Sequence, residues 1–155
     1  MHNYSQFTNL TGKGPKVYIR KPDKRTNKIY SSMQFKTLAL PCLNYYYDLF
    51  YKEGKKIIPS NISDLLTARA FAYWISDDGG IGADGQTILY CQSYSLEEVT
   101  LLTNALVNNF KLRTRVHEIK PNQRIIVIPV KQIVSLKEII SPYIHYSMLY
   151  KIVKI

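Results

Sequence analysis

Leu65 to Gly80, LLTARAFAYWISDDGG, is the stretch on which the reading of this chain turns. Thr67 fits an N-cap, and Ala68 to Asp78 fit a helix that ends on two adjacent carboxylates, Asp77 and Asp78. Gly79 and Gly80 follow at once. A helix C-terminus carries partial negative charge, so acids are disfavoured there and Lys or Arg is the usual choice. A divalent cation would offset that cost, since hard cations take oxygen ligands. The plainer alternative is an ordinary Asp-Gly turn in which the cost is tolerated. Ala68, Ala72, Ile75 and Ser76 fall on one side of this helix. Small residues at that spacing permit a close approach to a partner helix, or the helix lies on a sheet.

Downstream the pattern alternates between strands and helices. Ile81 opens a glycine-rich turn, and QTILYCQSY (86–94) is β-prone. Ser95-Leu96-Glu97-Glu98 is a capping-box pattern that starts a helix with Val99, Leu102, Leu106 and Phe110 on one face. LRTRVHEIK and RIIVIPV read as two strands joined at Pro121-Asn122-Gln123. Gln132 to Ser141 reads as an amphipathic helix, and YIHYSMLYKI closes the chain in a short helical or extended form. Helices mixed with an antiparallel sheet, without βαβ regularity, make this an α+β protein.

Upstream, Val17 to Lys36 suggests a hairpin turning at PDKRTN. Arg20, Lys21, Lys24, Arg25 and Lys28 crowd that turn, which suits a phosphate backbone better than plain solvent. Residues 41–53 suggest a helix opened by Pro41 and ended by Gly54, with Leu43, Tyr46, Tyr47, Phe50 and Tyr51 as a core stripe. Residues 1–15 read as a polar lead-in, with the core beginning no earlier than Val17.

The composition narrows the partners. The chain has 155 residues, 46% hydrophobic, with 21 Lys and Arg against 11 acids, a formal charge of +10. That excess favours a polyanion, with nucleic acid ahead of an anionic membrane surface. No apolar run has the length of a membrane span. The start carries no signal-peptide core, and it lacks the Arg-rich character of a transit peptide. Cys42 and Cys91 have no CxxC spacing, which fits reduced thiols and no structural zinc. Arg113, Arg115 and His117 alternate onto one strand face, as do Gln86, Tyr90 and Gln92. Gln and Arg read adenine and guanine edges bidentately, although Gln92 fits a structural hydrogen-bonding role equally well.

AFAYWISDDGG, then ILYCQSYSLEEVTLLTNALVNNF, then ISPYIHYSMLYKI, together resemble the LAGLIDADG homing endonucleases, in particular their organellar single-chain subfamily. QFKTLALPCLNYYYDLFYKEGKKIIPSNISDLLT resembles the end of that subfamily's first half and its linker. The resemblance runs over residues 20–152. It implies αββαββα halves whose antiparallel sheets form a saddle on double-stranded DNA. Residues 61–155 would be one complete half, residues 16–60 the C-terminal part of a preceding one, and residues 1–15 a lead-in. Asp78 would hold Mg²⁺ with the Gly79 carbonyl, Asp77 would be secondary, and the basic catalytic residues would be Lys56, near one active site, and Lys151, its counterpart in the other half. The DNA surface would comprise Arg20, Lys24, Arg25, Lys28, Gln86, Tyr90, Gln92, Arg113, Arg115, His117 and Arg124. The chain shows one motif helix where the subfamily has two. Three explanations fit: a truncated frame, a first helix supplied by another chain, or pairing of two copies. The implied activity is staggered double-strand cleavage in intron homing, in a mitochondrion or alternatively a chloroplast. The alternatives are a maturase acting on intron RNA and an inactive nucleic-acid-binding remnant.

Overall fold

The computed structural model describes residues 2–152, in two compact units that divide after Asp48. In the first, strands β1 (Lys16–Ile19) and β2 (Ser31–Gln34) pair antiparallel with Val17 opposite Met33. The hairpin is the one expected. Its turn is held by the Asp23 carboxylate, which accepts the amides of Arg25 at 2.8 Å and Thr26 at 3.1 Å. The lead-in is more ordered than its polarity suggested. It forms α1 (His2–Gln6) and a 3₁₀ turn, Thr8–Leu10. The Tyr4 ring stands edge-on to Phe35 at 5.6 Å, and the Leu38 amide donates to the Leu10 carbonyl at 2.8 Å. That ring contact and that backbone hydrogen bond join the segment to the hairpin strand's end.

The core begins well after Val17, in keeping with a lead-in that contributes nothing to it. Val17 is 60% exposed and Ile19 76%, and among the described residues the buried hydrophobic side chains start at Ile62. A two-stranded ribbon has too little area to cover either of its own faces. The helix expected over 41–53 is also shorter. A 3₁₀ turn at Pro41–Leu43 leads into α2 (Asn44–Phe50), whose Tyr46 and Tyr47 are exposed rather than core.

In the second unit β3 (Tyr51–Lys52) and β4 (Lys55–Lys56) form a tight hairpin where the sequence suggested continued helix. Glu53 and Gly54, at φ 53° and 76°, make the two-residue turn. Positive φ at both central positions is what a twisted two-residue hairpin demands. A short helix, α3 (Ile62–Leu65), precedes α4 (Ala68–Asp78). The Thr67 hydroxyl caps α4 by accepting the Ala70 amide at 3.2 Å. Then follow β5 (Gly79–Ile81), β6 (Thr87–Tyr90), α5 (Leu96–Phe110), β7 (Arg115–Lys120), β8 (Gln123–Ile128), α6 (Ile133–Ile140) and a 3₁₀ turn, Tyr146–Lys151. From α4 to α6 the order is αββαββα. The sheet is antiparallel throughout, in the order β5-β6-β8-β7.

One sheet face is apolar and holds the helices. Leu89, Ile126 and Ile128 meet Phe71, Ala72 and Ile75 of α4, Leu102 and Leu106 of α5, and Leu136 and Ile140 of α6. Phe71 stacks on Phe110 with ring centroids 5.2 Å apart. Ala72 and Ile75 are fully buried in this core, and α4 packs against α6. Ala72 therefore serves packing within the unit, while Ala68 and Ser76 stay half-exposed. Ala72 itself is covered, while pairing of two copies through this helix would use its exposed side. That side of α4 carries Arg69, Ala70 and Asp77.

Candidate functional site

The C-terminus of α4 is the chemical focus. Asp77 and Asp78 are exposed, while Gly79 is buried where the helix passes straight into β5. The Gly79 amide still donates to the Ile75 carbonyl. A Cβ at Gly79 would lie 2.3 Å from that same carbonyl oxygen. Glycine is required here for space, since φ at −85° suits any residue. This close join fixes the direction in which Asp78 leaves the helix.

Two lysines converge on that end. Lys151, in the 3₁₀ turn near the chain end, donates from Nζ to the Asp77 carbonyl at 3.0 Å. A cation on the last carbonyls of a helix is the favourable arrangement, so part of the charge cost at this terminus is offset within the chain. Lys56 arrives from β4. Its side chain lines one cleft with Asp78 and Tyr94. Burial pulls its pKa down, but the neighbouring Tyr94 side chain and the Asp78 carboxylate outweigh that and raise it above the ordinary lysine value. Lys56 is therefore held as a cation beside the carboxylates. Lys56, Asp77, Asp78 and Tyr94 line the polar end of a cleft of about 260 Å³ whose other end is Trp74, Leu102 and neighbouring apolar side chains.

Cys91 lies beneath, with its thiol pushed up to about 12 by burial and by the Asp78 charge. A thiol so placed stays protonated and is no nucleophile. Among the described residues no three His, Cys, Asp or Glu side chains come close enough to hold a metal alone. The oxygen donors on offer are the carboxylates of Asp77 and Asp78 and nearby carbonyls.

The sheet face opposite the helices carries some of the expected DNA residues. Tyr90, Ile125 and His117 form one cross-strand row, and Ile88, Val127 and Arg115 the next. Tyr90, Arg115 and His117 thus share one exposed face. Arg113 precedes β7, with its amide donating to Gln132 Oε1 at 2.7 Å. The Gln86 side chain lies over Gly82. Gln92 sits in the turn after β6, since the strand ends at Tyr90. It lines a separate cleft with Arg124, whose side chain is only 12% exposed and stands 3.6 Å from Glu118. Arg124 pairs with Glu118 in the strand register, so it does not stand with Arg115 and His117. In the first unit Arg20, Lys24, Arg25 and Lys28 are all exposed around the β1–β2 turn. Tyr94 was not read as a site residue. Its only sequence signal was its place just before the Ser95 capping box.

The LAGLIDADG DNA endonuclease family matches residues 1–136. The intron-encoded endonuclease ai4 of Dictyostelium discoideum is 35% identical over 141 residues, spanning 89% of this chain and 88% of that protein. The cytochrome b mRNA maturase bI2 of Saccharomyces cerevisiae is 31% identical, over 83% of this chain and 32% of its own length. Among solved structures, the homing endonuclease I-WcaI bound to its DNA recognition sequence superposes with a TM-score of 0.86 at 27% identity, covering 98% of this chain and 69% of that one. With an acid-ended α4, an αββαββα unit and a family match over most of its length, the chain belongs to the LAGLIDADG DNA endonuclease family.

Proposed function

We propose that this chain is a site-specific DNA endonuclease of intron homing, which hydrolyses phosphodiester bonds in both strands to leave a staggered break. The observation that carries this reading is the convergence of Lys56 and Lys151 on the carboxylate end of α4. Asp78 and the Gly79 carbonyl are the metal ligands in this reading, and Mg²⁺ is the ion. The donor set fits, because Mg²⁺ is commonly bound through one or two carboxylates plus water and substrate phosphate. When bound, the ion supplies charge neutralisation at the phosphate and an activated water. Lys56 adds a fixed positive charge beside the scissile phosphate, and Lys151 steadies the helix terminus that presents Asp78. The exposed row of Tyr90, His117 and Arg115 reads base edges, while Arg20, Lys24, Arg25 and Lys28 bind phosphate. Residues 61–155 form the complete half and residues 16–60 the remainder of a preceding one. A further acid-ended helix would come from another chain or from a second copy through a face other than Ala72. The relatives' intron-encoded origin supports an organellar site of action, the mitochondrion first.

Purified protein with Mg²⁺ is expected to cut DNA of the intronless allele and to spare the intron-interrupted allele. Equal treatment of the two alleles would overturn the homing role. The resemblance to a maturase supports a second reading, in which the same scaffold binds intron RNA. Faster splicing of the host intron by added protein, with target DNA left intact, would select it. Binding to DNA is also expected to weaken about a thousandfold or more between 50 and 200 mM salt, as for proteins making six or more phosphate contacts. Fluorescence anisotropy across a salt series checks this, and a flat line would sink the nucleic-acid reading.

A further inference from the structure

Tyr94 has no role in the proposed chemistry, yet it lines the same cleft as Lys56, Asp77 and Asp78. Its position is tightly specified. The Tyr94 amide donates to the Cys91 carbonyl at 3.1 Å, closing the turn that leads to α5. Its ring is half-buried against the core. Ser95 then caps α5, and the Glu98 carboxylate completes the capping box by accepting the Ser95 amide at 2.7 Å. The other oxygen of Glu98 accepts the Ile58 amide at 3.0 Å. Ile58 lies just two residues beyond Lys56. One carboxylate thus ties the segment that follows Lys56 to the turn that carries Tyr94.

A lysine ammonium on a four-carbon stem has much rotamer freedom to lose. A fixed acceptor near its working position removes that freedom before substrate binds. We propose that Tyr94 is a positioning residue, whose hydroxyl accepts from the Lys56 ammonium and holds that charge at the carboxylate end of α4, with Glu98 fixing the two backbone segments against each other. The inference rests on the nuclease reading only in giving Lys56 its task.

Tyr94→Phe removes the hydroxyl and leaves the packed ring. The first measurement needs neither metal nor DNA: ¹⁵N relaxation of the lysine ammonium groups, with neighbouring Lys55 as the reference. Lys56 is expected to be more ordered than Lys55 in the wild type and to match it in Tyr94→Phe. An order in Lys56 that survives Tyr94→Phe, or that is absent from the wild type, would overturn the proposal. The second is a double-mutant cycle on single-turnover cutting. Tyr94→Phe should slow cutting about fivefold when Lys56 is present and not at all in a Lys56→Met background. An equal loss in both backgrounds would show a structural role and overturn the proposal. A wild-type protein that cuts nothing would sink the nuclease reading, while the relaxation measurement would still decide the Tyr94 contact.

Discussion

Asp78→Asn is expected to lower single-turnover cleavage by about a thousandfold or more, with DNA affinity kept within about threefold. The substitution is nearly isosteric. It exchanges an anionic oxygen ligand for a neutral amide, and a hard dication binds the amide far more weakly. Asp78 is exposed and lies outside the core that holds α4 in place, so the fold has little reason to change. Electrostatics points the same way. A carboxylate on the last turn of a helix opposes the helix dipole, so its removal should leave thermal stability unchanged or slightly higher. DNA affinity should hold or rise, because a negative charge is withdrawn from the neighbourhood of phosphates. A variant that binds and folds but does not cut separates a metal-ligand role from a structural one. If cutting were retained, the ion would have to be held elsewhere.

Gly79→Ala is expected to destabilise the protein by about 3 kcal/mol, at the upper end of the usual cost of overpacking. The new methyl would lie 2.3 Å from the Ile75 carbonyl oxygen and 2.9 Å from Ile75 Cγ2. The first contact is with backbone inside a buried helix turn, so it is relieved only by moving α4 or β5. Gly82→Ala is the instructive control. Its methyl would meet Gln86 Cγ at 2.8 Å, an atom of a flexible side chain at a loop, and should cost about 0.5 kcal/mol or less. Urea denaturation of both variants checks the pair. A Gly79→Ala cost no larger than that of Gly82→Ala would contradict the close helix-to-strand join described above.

The α4 helix was legible because several signals agreed: Thr67 as a cap, a helical apolar spacing, and two glycines after the acids. The capping box at Ser95 and Glu98 was legible for the same reason, since both side chains take part locally. The β3–β4 hairpin was not. Tyr51 continues the aromatic spacing of the preceding helix, and Glu53 is not a residue that advertises positive φ. The stripe on α4 left its neighbour open between a helix and a sheet, and within the unit it has both, α6 and the apolar sheet face. Spacing says that a neighbour lies near, and only the fold shows that Ala72 and Ile75 are taken up within the unit's own core. The meeting of Lys56 with Asp78 could not be derived from periodicity. It depends on that unread hairpin and on Glu98 reaching Ile58, a contact across 40 residues. Arg124 shows the converse: its charge suggested DNA, while its register places it against Glu118.

In the proposed function the carboxylate end of α4 is a metal-dependent phosphodiester-cutting centre. The most direct measurement is a MgCl₂ titration of the purified chain with intronless target DNA under single-turnover conditions, with each strand's products resolved separately. Cuts are expected in both strands at staggered positions, rising with Mg²⁺ and abolished by a chelator. DNA that is bound yet intact at every metal concentration would contradict the proposed function.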